Sequence, residues 1–351
     1  MKRRTFLKAV SGAAGVAAVN WYEMFGDEAA RRILPHPSGL PRRVLGRTGE
    51  QISIIGFPGF ALPRLSQEES NSAMRRAFDL GCNYFDVAPA YGDAEVKMGS
   101  ALAGWRDKVF LSCKTNKRDA QGAREELERS LQRLKTDHFD LYQMHHIRTP
   151  AEVQQALGPG GALETFLKAK EEGKVKWLGF SAHTTKGALE LMKGFRFDTV
   201  MFPINFVEYF TIDFGKPILA LAKEQGAVVL AIKPTSAGDW AKGAKRQREW
   251  WYPSMETPEE LRLALRFTLS LDPVITGIPP SFVDLFENSI TAAKAYAPAT
   301  EAEVAELRDR AARSLSLFKR EEDAVEKAQA GHREGPFHPG SPHEGGETLY
   351  A

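Results

Sequence analysis

Four residues combine the types that proton transfer to a carbonyl requires: Asp86, Tyr91, Lys114 and His145. Asp86 ends the run Asn83-Tyr84-Phe85-Asp86, and Tyr91 follows five residues later. Lys114 ends a second β-rich run and His145 a third, at intervals of 28 and 31 residues, each about one strand-plus-helix unit. That spacing brings all three to one rim from neighbouring strands. A buried lysine needs a counter-charge, which Asp86 supplies. Lys114 is then expected to place positive charge beside Tyr91 and depress its phenol below the ordinary value of ~10. A phenol tuned toward neutrality donates its proton to a carbonyl oxygen, while His145 polarises the same oxygen. Any one of these residues at a rim is more often a salt bridge or a satisfied polar group. Four together at this spacing are not.

The elements that would position them are legible in the hydrophobic pattern. Arg42–Leu45 and Gln51–Ile55 flank Gly46-Arg47-Thr48-Gly49, an opening hairpin. Eight strand–helix pairs follow. The predicted strands are Ile52–Gly56, Asn83–Val87, Lys108–Ser112, Phe139–Met144, Val175–Phe180, Thr199–Ile204, Ala227–Ile232 and Val274–Ile278. Helical faces show the i, i+4, i+7 spacing, as at Leu127, Leu131 and Leu134, and glycines close helices at Gly81, Gly173 and Gly226. Eight βα units in succession predict an α/β fold, a (β/α)8 TIM barrel, with a doubly wound open sheet as the alternative. Catalytic groups in such a barrel lie at the C-terminal ends of the strands, where these four fall.

The chain has 351 residues, with 47 Lys+Arg against 45 Asp+Glu and 43% hydrophobic residues. That composition excludes a disordered chain, a collagen-like repeat and a polytopic membrane protein. A formal charge of +2 gives no nucleic-acid footprint. Residues 1–8, MKRRTFLK, hold four basic side chains and no acid, so the remaining chain is slightly acidic. The apolar run Ala9–Trp21 behind them is too short to span a bilayer as a helix. Arg3-Arg4-Thr5-Phe6-Leu7-Lys8 resembles the twin-arginine translocation (Tat) motif. The resemblance implies a leader over residues 1–30, the Tat machinery as a partner, and export to the periplasm or the outer face of the envelope. An uncleaved leader would tether the protein to the membrane.

The catalytic stretches also resemble one enzyme family. Asn83-Tyr84-Phe85-Asp86-Val87-Ala88-Pro89-Ala90-Tyr91-Gly92, with Glu95 and Gly99, is similar to the aldo-keto reductase pattern around its catalytic Asp and Tyr. Lys114, Asp140-Leu141-Tyr142-Gln143-Met144-His145 and Gly173-Lys174-Val175-Lys176-Trp177-Leu178-Gly179-Phe180-Ser181 match later landmarks, over residues 41–296. The resemblance implies reversible hydride transfer between NADP or NAD and a small carbonyl or alcohol substrate. Tyr91 would be the general acid, Lys114 its tuner, Asp86 the partner of Lys114, and His145 the orienting donor. It also implies cofactor contacts from Ser181, His183, Met201, Lys233, Gly277, Ser281, Glu287 and Asn288. Several positions depart from the pattern. Ala182 and His183 stand where the family commonly has Asn, Met201 where it has Gln, and Ile232 where an aromatic often stacks. Gly277–Ala293 contains no Lys or Arg, which makes NAD more plausible than the family default of NADP.

The loop Thr235–Thr257 carries Trp240, Trp250 and Trp251 among basic residues, and reads either as a lid suited to sugar-like or aromatic compounds or as packing against the tail. Cys82 and Cys113 read as reduced core residues. A helix is predicted over Glu301–Phe318, within a C-terminal extension of residues 297–351 that ends in a loose tail carrying His332, His338 and His343. The quaternary expectation is a monomer or small homo-oligomer. Two other classes compete: a weakly catalytic, cofactor-binding barrel that acts as a regulatory partner, like the potassium-channel beta subunits, and a hydrolytic barrel with a metal on His145, His146, His183 and Asp86. The second would leave Lys114 and Tyr91 without a task, so no metal is expected.

Overall fold

The computed structural model describes residues 33–246 and 248–329. The predicted leader and the three tail histidines lie outside the described residues. An antiparallel hairpin, β1 (Arg42–Val44) and β2 (Gln51–Ser53), precedes eight parallel strands. These are β3 (Phe57–Pro58), β4 (Tyr84–Asp86), β5 (Phe110–Thr115), β6 (Phe139–Ile147), β7 (Val175–Ala182), β8 (Thr199–Pro203), β9 (Val228–Ile232) and β10 (Val274–Ile278), hydrogen-bonded in chain order. The segment before β3 closes the ring. Gly56 N–H donates to the Gly277 carbonyl at 3.0 Å, and Gly277 N–H donates to the Ile54 carbonyl at 2.9 Å. A Cβ on Gly56 would stand 2.5 Å from the Tyr84 ring, so closure at this point needs glycine. The doubly wound alternative is thereby excluded.

The first predicted strand is displaced. Gln51–Ser53 belongs to the hairpin, Ile54–Gly56 is the closing bridge, and the first sheet strand is Phe57–Pro58 beside Phe85-Asp86. One β-rich run thus serves three structures, which periodicity alone does not separate. Side chains alternate along the strands as the pleat requires. Tyr84, Leu141, Met201 and Leu230 fill the barrel interior, and their neighbours Phe85, Tyr142, Phe202 and Ala231 pack outward against helices. Leu45 and Ile52 of the hairpin join the interior cluster. The helices start where side chains satisfy their first N–H groups: Ser66, Thr149, Thr257 and Thr300 each form a reciprocal capping box with a glutamate three residues on.

The C-terminal extension departs most from expectation. The helix predicted over Glu301–Phe318 stops at Ala311, and a further helix forms over Lys319–Gln329. Buried Glu208 intervenes between the two. Its carboxylate accepts from Ser316 Oγ at 2.5 Å and from Leu317 N–H at 2.7 Å. Leu315 bridges to Asp239 of the tryptophan-bearing loop. Gly238 permits that approach, because a Cβ there would lie 2.2 Å from the Leu315 carbonyl oxygen. Glu322 accepts from Thr185 N–H at 2.8 Å, at the start of the helix that follows β7. The extension is thus tied to the loop after β9 and to the helix after β7.

Glu208→Gln replaces an acceptor-only group with one that presents N–H₂ to a donor. It should cost about 1–3 kcal/mol and expose the segment between the last two helices. Limited trypsin digestion at Arg313, Lys319 and Arg320 should be faster than in the wild type at unchanged global fold.

Candidate active site

Lys114, next to last in β5, is fully buried, and its Nζ donates to Asp86 Oδ2 at 2.5 Å, to the Val87 carbonyl at 3.1 Å and to the Tyr91 hydroxyl at 3.4 Å. Asp86 is the last residue of β4. Tyr91 is delivered by the turn just beyond it, where its N–H donates to the Ala88 carbonyl at 3.0 Å. Burial presses the Lys114 ammonium toward neutrality, but Asp86 and then Tyr91 outweigh it, and its pKa ends above the ordinary value. Tyr91 differs from the sequence expectation. Burial raises its pKa, Lys114 opposes the rise, and burial wins, so the phenol stands above its ordinary value. Tyr91 therefore holds its proton throughout the neutral range, in the form that donates.

His145 arrives from β6 with its ring edge-on to Tyr91, centroids 5.7 Å apart. Its Nδ1 meets Asn116 Oδ1 at 2.8 Å, and Arg118 donates to its carbonyl at 2.7 Å. With that amide orientation Nδ1 carries the hydrogen; turning the amide over moves it to Nε2. Asn116, two residues beyond Lys114, was missed in the sequence because amides at strand ends are common and carry no motif of their own.

The ring of His146 departs from strand alternation. The register of β6 against β7 shifts between Met144 and Ile147, and His146 takes φ +58°, a left-handed conformation uncommon outside glycine. Its imidazole lies against His183, centroids 4.2 Å apart. The four-residue metal set of the hydrolytic reading does not assemble, because Asp86 is committed to Lys114 and His145 is turned toward Tyr91 and Asn116.

A cleft opens beside Tyr91. Asp86, Phe60, Ile232, Lys233, Trp250, Trp251, Tyr252 and Ser281 line it. Phe60 meets Tyr91 edge-on at 5.0 Å, and Trp250 and Trp251 pack on Phe60 at 6.0 and 6.2 Å. The tryptophan loop both covers the cleft and packs on the C-terminal segment, so the two readings of it coexist. Trp240 stands outside the lining and donates Nε1–H to the Trp250 carbonyl at 3.0 Å. Lys233 is buried at the cleft with φ +56°, and burial pulls its pKa down to about 8 against the opposing influence of Glu321 and Glu208.

Ser281 also lines a second cleft with Ala61, Arg64, Leu65, Phe282, Val283, Asp284 and Glu287. The two clefts share Ser281, and the second reaches the helix Val283–Lys294, whose first turn has no side-chain cap. Two cations absent from Gly277–Ala293 reach this place from other loops. Arg64 lies over the rings of Phe282 and Trp250 at 5.0 and 5.2 Å. Arg248 bridges the tryptophan loop to Asp284, at 2.5 and 3.3 Å, and to Glu256 at 2.8 Å. The lack of cations within Gly277–Ala293 is therefore a property of that segment and not of the whole surroundings of the second cleft.

Backbone donors at an uncapped helix start, with arginines beside it, suit phosphates, and the aromatic cleft beside Tyr91 suits a flat ring. On that donor set the residues fit a dinucleotide. The other expected contacts are placed differently. Met201 packs in the barrel interior, Ser181 Oγ accepts from His146 N–H at 2.8 Å, and His183 faces His146 and Phe318. Gly277 is a closing-bridge residue, Glu287 pairs with Arg76 at 2.5 Å, and Asn288 is exposed.

Comparison with known proteins agrees with this geometry. The family model described as aldo/keto reductase family matches residues 54–258. The chain belongs to the aldo/keto reductase family. It is 30% identical over 226 residues to aldo-keto reductase str7 of Strobilurus tenacellus, covering 57% of this chain and 62% of that one. It is 29% identical over 154 residues to L-galactose dehydrogenase of Arabidopsis thaliana, covering 40% and 47%. The chain thus spans less than two thirds of the length of these two relatives. In fold it resembles the aldo-keto reductase AKR11C1 of Bacillus halodurans, at TM-score 0.63 and 22% identity over 81% of this chain and 99% of that one. It also resembles an aldo-keto reductase from Klebsiella pneumoniae in complex with NADPH, at TM-score 0.59 and 20% identity over 76% and 93%.

Because Tyr91 is protonated below its raised pKa, carbonyl reduction should be level from pH 6 to 9 and fall only as the phenol ionises above ~10. Lys114→Met removes the nearby cation and should move that fall to still higher pH. It should also cost about 3–5 kcal/mol by leaving Asp86 buried without its partner. A kcat/KM profile and urea unfolding of both forms check this.

Proposed function

We propose that this protein is an exported nicotinamide-dependent oxidoreductase that interconverts a carbonyl and an alcohol. The reading rests on one observation: the Tyr91 hydroxyl lies 3.4 Å from a buried ammonium that is itself ion-paired at 2.5 Å, and it opens onto a cleft leading to an uncapped helix start. The bound nicotinamide supplies or accepts the hydride. The chain's own residues do the rest. Tyr91 donates its proton to the carbonyl oxygen, and Lys114 stabilises the phenolate left behind. Asp86 keeps Lys114 charged, and His145 orients the oxygen. Trp250 and Trp251 exclude water and offer flat faces to a sugar-like or aromatic substrate, and Lys233 favours one that carries an anionic group.

Arg64 and Arg248 favour NADP, since a 2′-phosphate wants cationic partners. Export by the Tat route is supported by Arg3-Arg4-Thr5-Phe6-Leu7-Lys8. That route carries folded proteins, and free nucleotide is scarce outside the cytoplasm. Retention of one bound nicotinamide, regenerated on a second substrate or within one sugar-like molecule, follows from the two together. Recovery of envelope-derived protein without co-eluting nucleotide, and with fast exchange, would contradict retention.

Tyr91→Phe should lower carbonyl reduction about 10²–10⁴-fold while nucleotide affinity, read by fluorescence titration, stays within twofold. Unchanged turnover would instead favour the regulatory-partner reading. Arg64→Ala should weaken NADPH binding about tenfold and NADH binding much less; equal losses would remove the case for NADP.

A further inference from the structure

We propose that His146, His183 and Glu321 form a binding site for a divalent transition metal, best matched by zinc, which clasps the C-terminal helix to the mouth of the barrel. The site goes beyond the oxidoreductase reading and does not depend on it. One ligand atom from each of the three side chains lies within 4.8 Å of those of the other two. His146 comes from the irregular stretch of β6, His183 follows β7, and Glu321 belongs to the helix Lys319–Gln329. They are 37 and 138 residues apart in sequence, so the meeting is a product of the tertiary fold.

Two imidazoles and a carboxylate are the donor set of three-ligand zinc sites, which keep a water in the fourth position. Zinc about 2.1 Å from each donor needs donors roughly 3.4 Å apart, which modest side-chain rotation from the present separations provides. The setting favours a cation. Glu321 has no exposed surface, and a buried carboxylate is costly unless it meets opposite charge. Lys233 faces both Glu321 and Glu208, and the two carboxylates raise its pKa against the pull of burial. A Glu321–Lys233 interaction alone would not account for the rest of the arrangement. It would leave unexplained why two imidazoles converge on the same carboxylate, and why His146 adopts a left-handed backbone with its ring against His183 rather than toward Tyr91. Neither His146 nor His183 lines the cleft beside Tyr91, so the hydride-transfer reading makes no use of this meeting. The ion would join β6, β7 and the last helix, adding a third attachment to those made through Glu208 and Glu322.

The test uses full-length protein freed of metal with a chelator and titrated with Co²⁺, whose visible bands report coordination, and with Zn²⁺ in competition. The expected result is one equivalent bound with the intense bands of four-coordinate Co²⁺, displaced by Zn²⁺. Glu321→Gln and His146→Gln should each weaken binding at least tenfold. Trypsin cleavage at Lys319 and Arg320 should slow with Zn²⁺ in the wild type and not in the variants. Asn substitution of His332, His338 and His343 together removes the tail as a competing ligand and should leave the equivalent in place. The proposal is overturned if the wild type binds no stoichiometric Co²⁺, if Glu321→Gln binds it equally well, or if binding vanishes with the tail histidines. Tyr91→Phe should bind Co²⁺ normally, so loss of the catalytic reading and loss of this one are separately visible.

Discussion

The buried ion pair between Lys114 and Asp86 is the constraint on which the site depends. Two charges withdrawn from water are costly, and only short contacts and added hydrogen bonds offset that cost. Here the offset comes from a 2.5 Å contact, the Val87 carbonyl and the Tyr91 hydroxyl. Parallel β4 and β5 carry the two residues at adjacent strand ends, and closure of the ring at Gly56 and Gly277 keeps those strands in register. Replacing the pair with apolar residues of equal volume need not weaken the fold. What the pair does in the site is hold a fixed cation 3.4 Å from the Tyr91 hydroxyl, where it would stabilise a phenolate.

Burial sets the direction of that tuning. A cation near a phenol lowers its pKa in water, which is the expectation from residue types alone. In the folded site desolvation of the phenolate outweighs the cation, and Tyr91 rests as an acid. The arrangement favours donation to a carbonyl over abstraction from an alcohol near neutral pH.

The tetrad and the eight-unit barrel were legible in the sequence because they obey short rules: reactive residues at strand ends, about thirty residues apart, with helical stripes between. What was not legible depends on chain segments far apart. Arg64 and Arg248 reach the helix after β10 from other loops, so a scan of Gly277–Ala293 for cations could not find them. The break after Ala311 follows from Glu208, about a hundred residues earlier, which draws Ser316 and Leu317 out of helical geometry. His183 stands where the family commonly contacts the nicotinamide, yet it turns toward His146 and the last helix. That helix is polar overall and buries Glu321 and Val325 among its described side chains, too few to leave a periodic signature. Cys82 and Cys113 are free and buried as read, since a core thiol needs only an apolar run around it.

Transfer of label from the nicotinamide to the product tests the central claim most directly. Reduced nucleotide deuterated at C4 is incubated with the purified protein and a panel of small aldehydes and ketones that includes carboxylate-bearing and sugar-like members. Mass spectrometry of the alcohols then locates the deuterium. The account predicts one deuterium on the carbinol carbon of at least one product, with the hydroxyl proton drawn from solvent through Tyr91. Absence of label from every alcohol, at nucleotide concentrations that saturate binding, would contradict it.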